Sequence, residues 1–239
     1  MTTAKDTALE LFINGKQIKQ VDTFVYLGHK LSAKNDGAVA VKHRIGLGWA
    51  AFEKNKSMLT SRRIPYHIKS KIYNTYVLHV VLYGLECVNW TEKLHASVET
   101  FQNHMMRFIT NHKLIDHIKI EDLYEMTKLT PIMNNIRSKC IKLYGHIKRS
   151  NTGLSKLCLE GMIEGKRNRG RPAKRWLDNI HAWTQLSTDE LNNKSTNRDL
   201  WKELSHVNAQ SSAGGDSDDA ETAMMMKETV AHIQPNGKF

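Results

Sequence analysis

Six of the ten residues from Lys166 to Arg175 are cationic: Lys166, Arg167, Arg169, Arg171, Lys174 and Arg175. The run holds no acid, is broken by Gly170 and Pro172, and is followed at once by Trp176. Residues of this kind do not make or break bonds; they neutralise phosphates and release the counterions condensed on them. The core Arg169-Gly170-Arg171-Pro172 has the character of a minor-groove clasp, in which an extended backbone lets arginines enter a narrow groove. The same run could serve as a nuclear localisation signal, or as a solvated linker between helices. Nucleic-acid contact is the favoured reading because the remainder of the chain is basic too.

Residue patterns for other chemistry are missing. Twelve histidines are present, yet none stands four residues from another with a carboxylate on the same helical face, so no metal site is expected. The acidic pairs Glu121-Asp122 and Asp189-Glu190 sit where helix starts attract acids. There is no G-x-S-x-G elbow, no phosphate-binding G-x-x-x-x-G-K-[ST] loop and no G-x-G-x-x-G; Gly46-Leu47-Gly48 lies within a helical pattern. Cys87, Cys140 and Cys158 are distant from one another and without C-x-x-C spacing, which predicts reduced thiols, mostly packed against apolar neighbours. No cofactor is implied.

The 239-residue chain carries a net charge of +11, with an isoelectric point near 9.5. From Asn208 onward five acids face two lysines, leaving 33 basic and 19 acidic residues in 1–207, or +14. Such a surplus favours a polyanionic partner. No run reaches the eighteen or so apolar residues of a membrane span, and Met1 to Asp6 do not open a signal peptide. An intracellular, nuclear protein that meets no membrane is expected, with DNA, RNA or an RNA–DNA hybrid as its partner.

The elements that must position these residues are mostly helices. Leu9 to Ile13, Asn14-Gly15 and Gln17 to Val21 read as a β-hairpin, and Phe24 to Gly28 as a third short apolar run that Leu31 extends. After Asn35-Asp36-Gly37, the spacing of Val41, Ile45, Trp49 and Phe52 predicts a helix whose outer face shows Lys42, His43, Arg44, Lys54 and Lys56. It ends by Ser61-Arg62-Arg63-Ile64-Pro65. A second long helix runs from Tyr66 with Ile68, Ile72, Tyr76, Val80 and Tyr83 in phase, and a third covers about Leu94 to Asn111. A short helix at Glu121 to Met126, a longer one after Pro131 and a last one bearing Trp176, Ile180 and Trp183 complete the pattern. The expected fold is mainly α: a helical thumb-like bundle behind a small N-terminal hairpin. Its segments are 1–34, 35–112, 113–163, 164–207 with the basic run, and a disordered acidic tail, 208–239.

Three pieces in fixed order then resemble one family, the endonuclease–reverse transcriptases of non-LTR retrotransposons. They are Val21-Asp22-Thr23-Phe24-Val25-Tyr26-Leu27-Gly28; Arg44 to Phe52 with Lys71 to Leu78 and Leu82-Tyr83-Gly84; and Lys142 to Arg149 with Gly165 to Trp176. Together they span about residues 8 to 206. The resemblance implies that Phe24, Tyr26, Leu27 and Gly28 correspond to the family's primer grip, a hairpin that holds the primer end. It implies that the following helices correspond to thumb and connecting region, with Lys42, Arg44, Arg62 and Arg63 on phosphates. The family's catalytic aspartates lie in an upstream Tyr-x-Asp-Asp turn that this sequence does not contain. Nucleotide addition needs two metals held by close carboxylates, so no polymerisation by these residues alone is expected. Where the family usually reads Val-Leu-Pro-Val, His79 replaces the proline, which is expected to straighten the second long helix. The alternatives are a host-adopted DNA-binding module built on Arg169 to Pro172, and a non-functional truncated product.

Overall fold

The computed structural model describes residues 10–33, 37–150, 153–161, 170 and 174–207. Lys166, Arg167, Arg169 and Arg171 lie outside the described residues, as does the expected tail 208–239. Two compact units meet at Leu129 and Thr130. The expected connecting segment 113–163 is therefore divided between them.

In the first unit, two hairpins precede the helices. Strands β1 (Leu11–Ile13) and β2 (Lys16–Ile18) pair antiparallel with Leu11 opposite Ile18. Asn14 and Gly15 both take positive φ, at 49° and 75°, as a two-residue type I′ turn requires. Strands β3 (Thr23–Tyr26) and β4 (His29–Ser32) form a second hairpin with Tyr26 opposite His29. Its turn is Leu27-Gly28, with φ of 47° and 76°. All of β1, β2 and β3 is exposed, whereas β4 is half-buried and packs on the first helix.

Helix α1 (Gly37–Leu59) is the central element of this unit, contacting β4, the long helix that follows it and the helix after that. Its buried face includes Val41, Arg44, Gly48, Phe52 and Leu59, at steps of three, four, four and seven. Gly48 is there because a Cβ would collide with Val81 and with the Phe101 ring, so α1 approaches its neighbours at backbone distance. Trp49 meets Phe52, Phe101 and Phe108 edge to face, with ring centres 6.0, 5.6 and 6.0 Å away.

The second long helix is continuous from Tyr66 to Leu82 but changes its winding. An α segment, α2 (Tyr66–Ile72), passes into a wider π segment, Tyr73–Leu78, and returns as α3 (His79–Leu82). Loss of the family's proline does not give uniform α geometry: the π turn stands just before His79, whose Nδ1 meets the Asn74 carbonyl. The wider turn keeps Tyr73, Val77, Leu78, Val81 and Leu82 buried together. Two bonds then close the unit around α4 (Glu92–Thr110) and α5 (Ile120–Thr127). Buried Lys69 donates to the Ile109 carbonyl at 2.7 Å, and the Ser70 hydroxyl donates to the Thr127 carbonyl at 2.6 Å. Both acceptors are end-of-helix carbonyls with no partner of their own inside the helix.

The second unit is arranged around α6 (Ile132–Arg149), with α7 (Leu154–Glu160), α8 (Trp176–Thr184), α9 (Thr188–Thr196) and α10 (Arg198–Val207) against it. Ile132, Ile136, Cys140 and Tyr144 make its inner stripe. Gly145 lets Trp201 lie on the backbone, since a Cβ would strike the indole; that indole donates to the Ile141 carbonyl at 2.7 Å. Helix α9 starts where the Asp189-Glu190 pair leads one to expect a helix start, at the capping box Ser187 with Glu190, whose carboxylate has its pKa lowered by hydrogen bonds from the Ser187 amide and hydroxyl. Of the three thiols only Cys140 is buried, so the packing expected for Cys87 and Cys158 does not hold; both are exposed, and none of the three forms a disulfide.

Candidate nucleic-acid interface

The Leu27-Gly28 turn is the most specified local feature of the expected primer-grip segment. Leucine at φ 47° costs roughly 1–2 kcal/mol relative to an ordinary backbone conformation, so something outside the hairpin must hold it. Arg44 and Tyr83 do so. The Arg44 guanidinium donates to the Gly28 carbonyl and, at 3.4 Å, to the Val80 carbonyl. It also lies over the Tyr83 ring, 4.4 Å from its centre, while the Tyr83 hydroxyl donates to the Leu27 carbonyl at 3.0 Å. Gly28 fits because a Cβ there would come within 3.3 Å of the guanidinium. The chain thus ties a β-turn to two helices far apart in sequence through one cation and one phenol.

Arg44 therefore faces inward, 6% exposed, and its donors hold carbonyls. The sequence expectation puts it on the outer face of α1 beside Lys42. The missed signal was phase: position 44 falls between Val41 and Gly48 on the buried stripe. Burial pulls its pKa down, with Tyr83 and Glu86 pulling it back up. On the same surface, burial and then the Arg44 charge lower the pKa of His29, and Glu86 opposes them. His43 is lowered in the same sense by burial, Arg44 and Lys30.

The other expected contacts lie on the surface. Phe24, Tyr26 and Leu27 are 54, 59 and 75% exposed. Lys42 is exposed on α1, and Arg62 and Arg63 are exposed in the loop that follows it; none of the three forms an ion pair among the described residues. Arg62 and Arg63 share a cleft with Tyr66 and Lys69. In the second unit Lys174 and Arg175 are exposed ahead of α8, and Arg175 pairs with Asp178 at 3.6 Å. Trp176 and Trp183 are half-buried. Among the described residues no group of three His, Cys, Asp or Glu could hold a metal ion, and no helix is long and apolar enough to cross a membrane.

Among curated proteins, the chain is 25% identical over 170 residues to an uncharacterised transposon-derived protein of Caenorhabditis elegans. The match covers 69% of this chain and 61% of that protein, so the chain spans less than two thirds of the relative's length. The likeness points to a transposon origin. No protein-family model matches, and no solved structure does.

Proposed function

We propose that this transposon-related chain holds nucleic acid non-specifically, as a segment derived from the reverse transcriptase of a non-LTR retrotransposon. The observation that carries the reading is the β3–β4 hairpin. Its turn is fixed from behind by Arg44 and Tyr83, and Phe24, Tyr26 and Leu27 are left facing outward. A rigid turn with exposed aromatic side chains suits a surface that braces a strand end, because ordering is done before the ligand arrives. Arg44 acts in this reading as a positioning residue, while Lys42, Arg62, Arg63, Lys174 and Arg175 supply phosphate contacts. Lys166, Arg167, Arg169 and Arg171 extend the same charge along the chain. Residues 1–239 hold no Tyr-x-Asp-Asp turn, and polymerisation is not part of the function assigned to them.

The test is a fluorescence titration of the whole chain with DNA duplex and with RNA–DNA hybrid across a range of salt. Log affinity is expected to fall linearly with log salt, and Arg62→Ala with Arg63→Ala to reduce that slope by about 2, near one per lost phosphate contact. Absence of binding to both at low salt sinks the proposal. Metal-dependent extension of a primer by this chain alone would overturn the restriction to holding.

A further inference from the structure

Beside the loop from Ser61 to Pro65, between α1 and α2, opens a cleft of about 610 Å³. Arg62, Arg63, Tyr66, Lys69 and Asn111 line it, and among the described residues no carboxylate does. Its cations differ in kind. Arg62 and Arg63 are exposed and form no ion pair among the described residues, whereas Lys69 is only 1% exposed. The Lys69 ammonium has three N–H donors and one hydrogen-bond acceptor among the described residues, the Ile109 carbonyl. Desolvation lowers its pKa, so the charged form is held at a cost that an anion in the cleft would offset. That ammonium also sits 5.5 Å from the centre of the Tyr66 ring, which is itself 38% exposed.

A buried ammonium, two free guanidiniums and an aromatic ring in one concavity combine the two things a nucleotide offers, charge and a flat apolar face. Phosphate oxygens match the guanidinium forks, and a base has a π-face for the phenol ring. A base inside a duplex is already stacked and paired, and bringing it to Tyr66 would require unstacking it first. We propose that this cleft is a single-strand subsite, in which Arg62, Arg63 and Lys69 hold one phosphate and Tyr66 stacks the adjoining base. The assignment rests on the nucleic-acid reading above and adds a preference to it. The exposed arginines still contribute to duplex binding, and Tyr66 acts on the single strand alone.

The experiment compares wild type, Tyr66→Ala and Tyr66→Phe, all as the full chain, using a labelled oligothymidylate of about twelve nucleotides and a labelled blunt duplex. Tyr66→Ala is expected to weaken oligothymidylate binding about tenfold and leave duplex binding unchanged; Tyr66→Phe is expected to bind both as wild type does. Because Tyr66 lies at the surface, circular dichroism should show all three equally folded. Equal losses on the two probes, or no loss for Tyr66→Ala, overturn the cleft assignment while the broader reading stands. Failure of the wild type to bind either probe at low salt overturns both. Displacement of oligothymidylate by inorganic phosphate at matched ionic strength, as effective per phosphate as unlabelled oligothymidylate, would make the occupant a free anion and remove the strand from the proposal.

Discussion

Replacing Arg44 separates the two roles that basic residues play on α1. Arg44→Ala removes charge-assisted bonds to the Gly28 and Val80 carbonyls and the cation over Tyr83, and should destabilise the first unit by about 2 kcal/mol. Arg44→Lys should not rescue it, since a single ammonium cannot reproduce a planar fork that serves two carbonyls and stacks on a ring. Lys42→Ala, one residue pair away on the exposed face, should leave the melting temperature alone and reduce the salt dependence of binding. The two effects are read in a thermal melt and a salt titration of the same proteins. A loss of salt slope without a loss of stability in Arg44→Ala would return that residue to the surface role the sequence suggested. At this scale residue type was a poor guide: arginine was counted as outward because it is charged, whereas its partners, Gly28, Val80 and Tyr83, come from other elements and have no local signature.

The elements were more legible. The helices α1, α4 and α6 follow from apolar spacing, and Pro131 before α6 marks its start, but the phase is less exact: on α1 Ile45 and Trp49 are half-buried while Arg44 and Gly48 are buried, and on the second long helix Ile68, Tyr76 and Tyr83 face out. The Asn14-Gly15 turn was readable because both residues tolerate positive φ by themselves. Leu27-Gly28 was not read as the same turn, since leucine adopts that conformation only under tertiary restraint. The π turn at Tyr73–Leu78 has no periodicity of its own to announce it. The hairpin β3–β4 also carries a pH response. His29 has its pKa lowered below the ordinary 6.5 by burial and by Arg44, with Glu86 opposing and His43 adding to the repulsion. A freed hairpin takes up a proton near pH 6.5, whereas the docked hairpin resists it, so docking is strongest above that pH and weakens as pH falls below it. Melting temperature should therefore decline on acidification below about pH 6.5. His29→Asn should flatten the part of that decline due to this side chain, His43 keeping the rest. An unchanged profile in His29→Asn would refute the assignment.

For the whole molecule, charge and the relative bear on two different questions. The surplus of +14 in residues 1–207 argues for phosphate without regard to fold. The transposon-derived relative argues for origin without regard to charge. What neither anticipates is how unequally the chain is anchored. The β1–β2 hairpin exposes Leu11, Phe12, Ile13 and Ile18, and a lone two-stranded ribbon is marginal in water. By contrast, Lys69 and Ser70 reach across 40 and 57 residues to cap the ends of α4 and α5. Those two side chains act as a clasp: α2, α4 and α5 must be in place together before both helix ends are satisfied. A protease of broad specificity should accordingly trim the β1–β2 ribbon early and stall at a fragment of about residues 22–129, which keeps the anchored β3–β4 hairpin and is detectable by mass spectrometry. Ser70→Ala should shorten the lifetime of that fragment, because cutting would then begin at the unfastened end of α5.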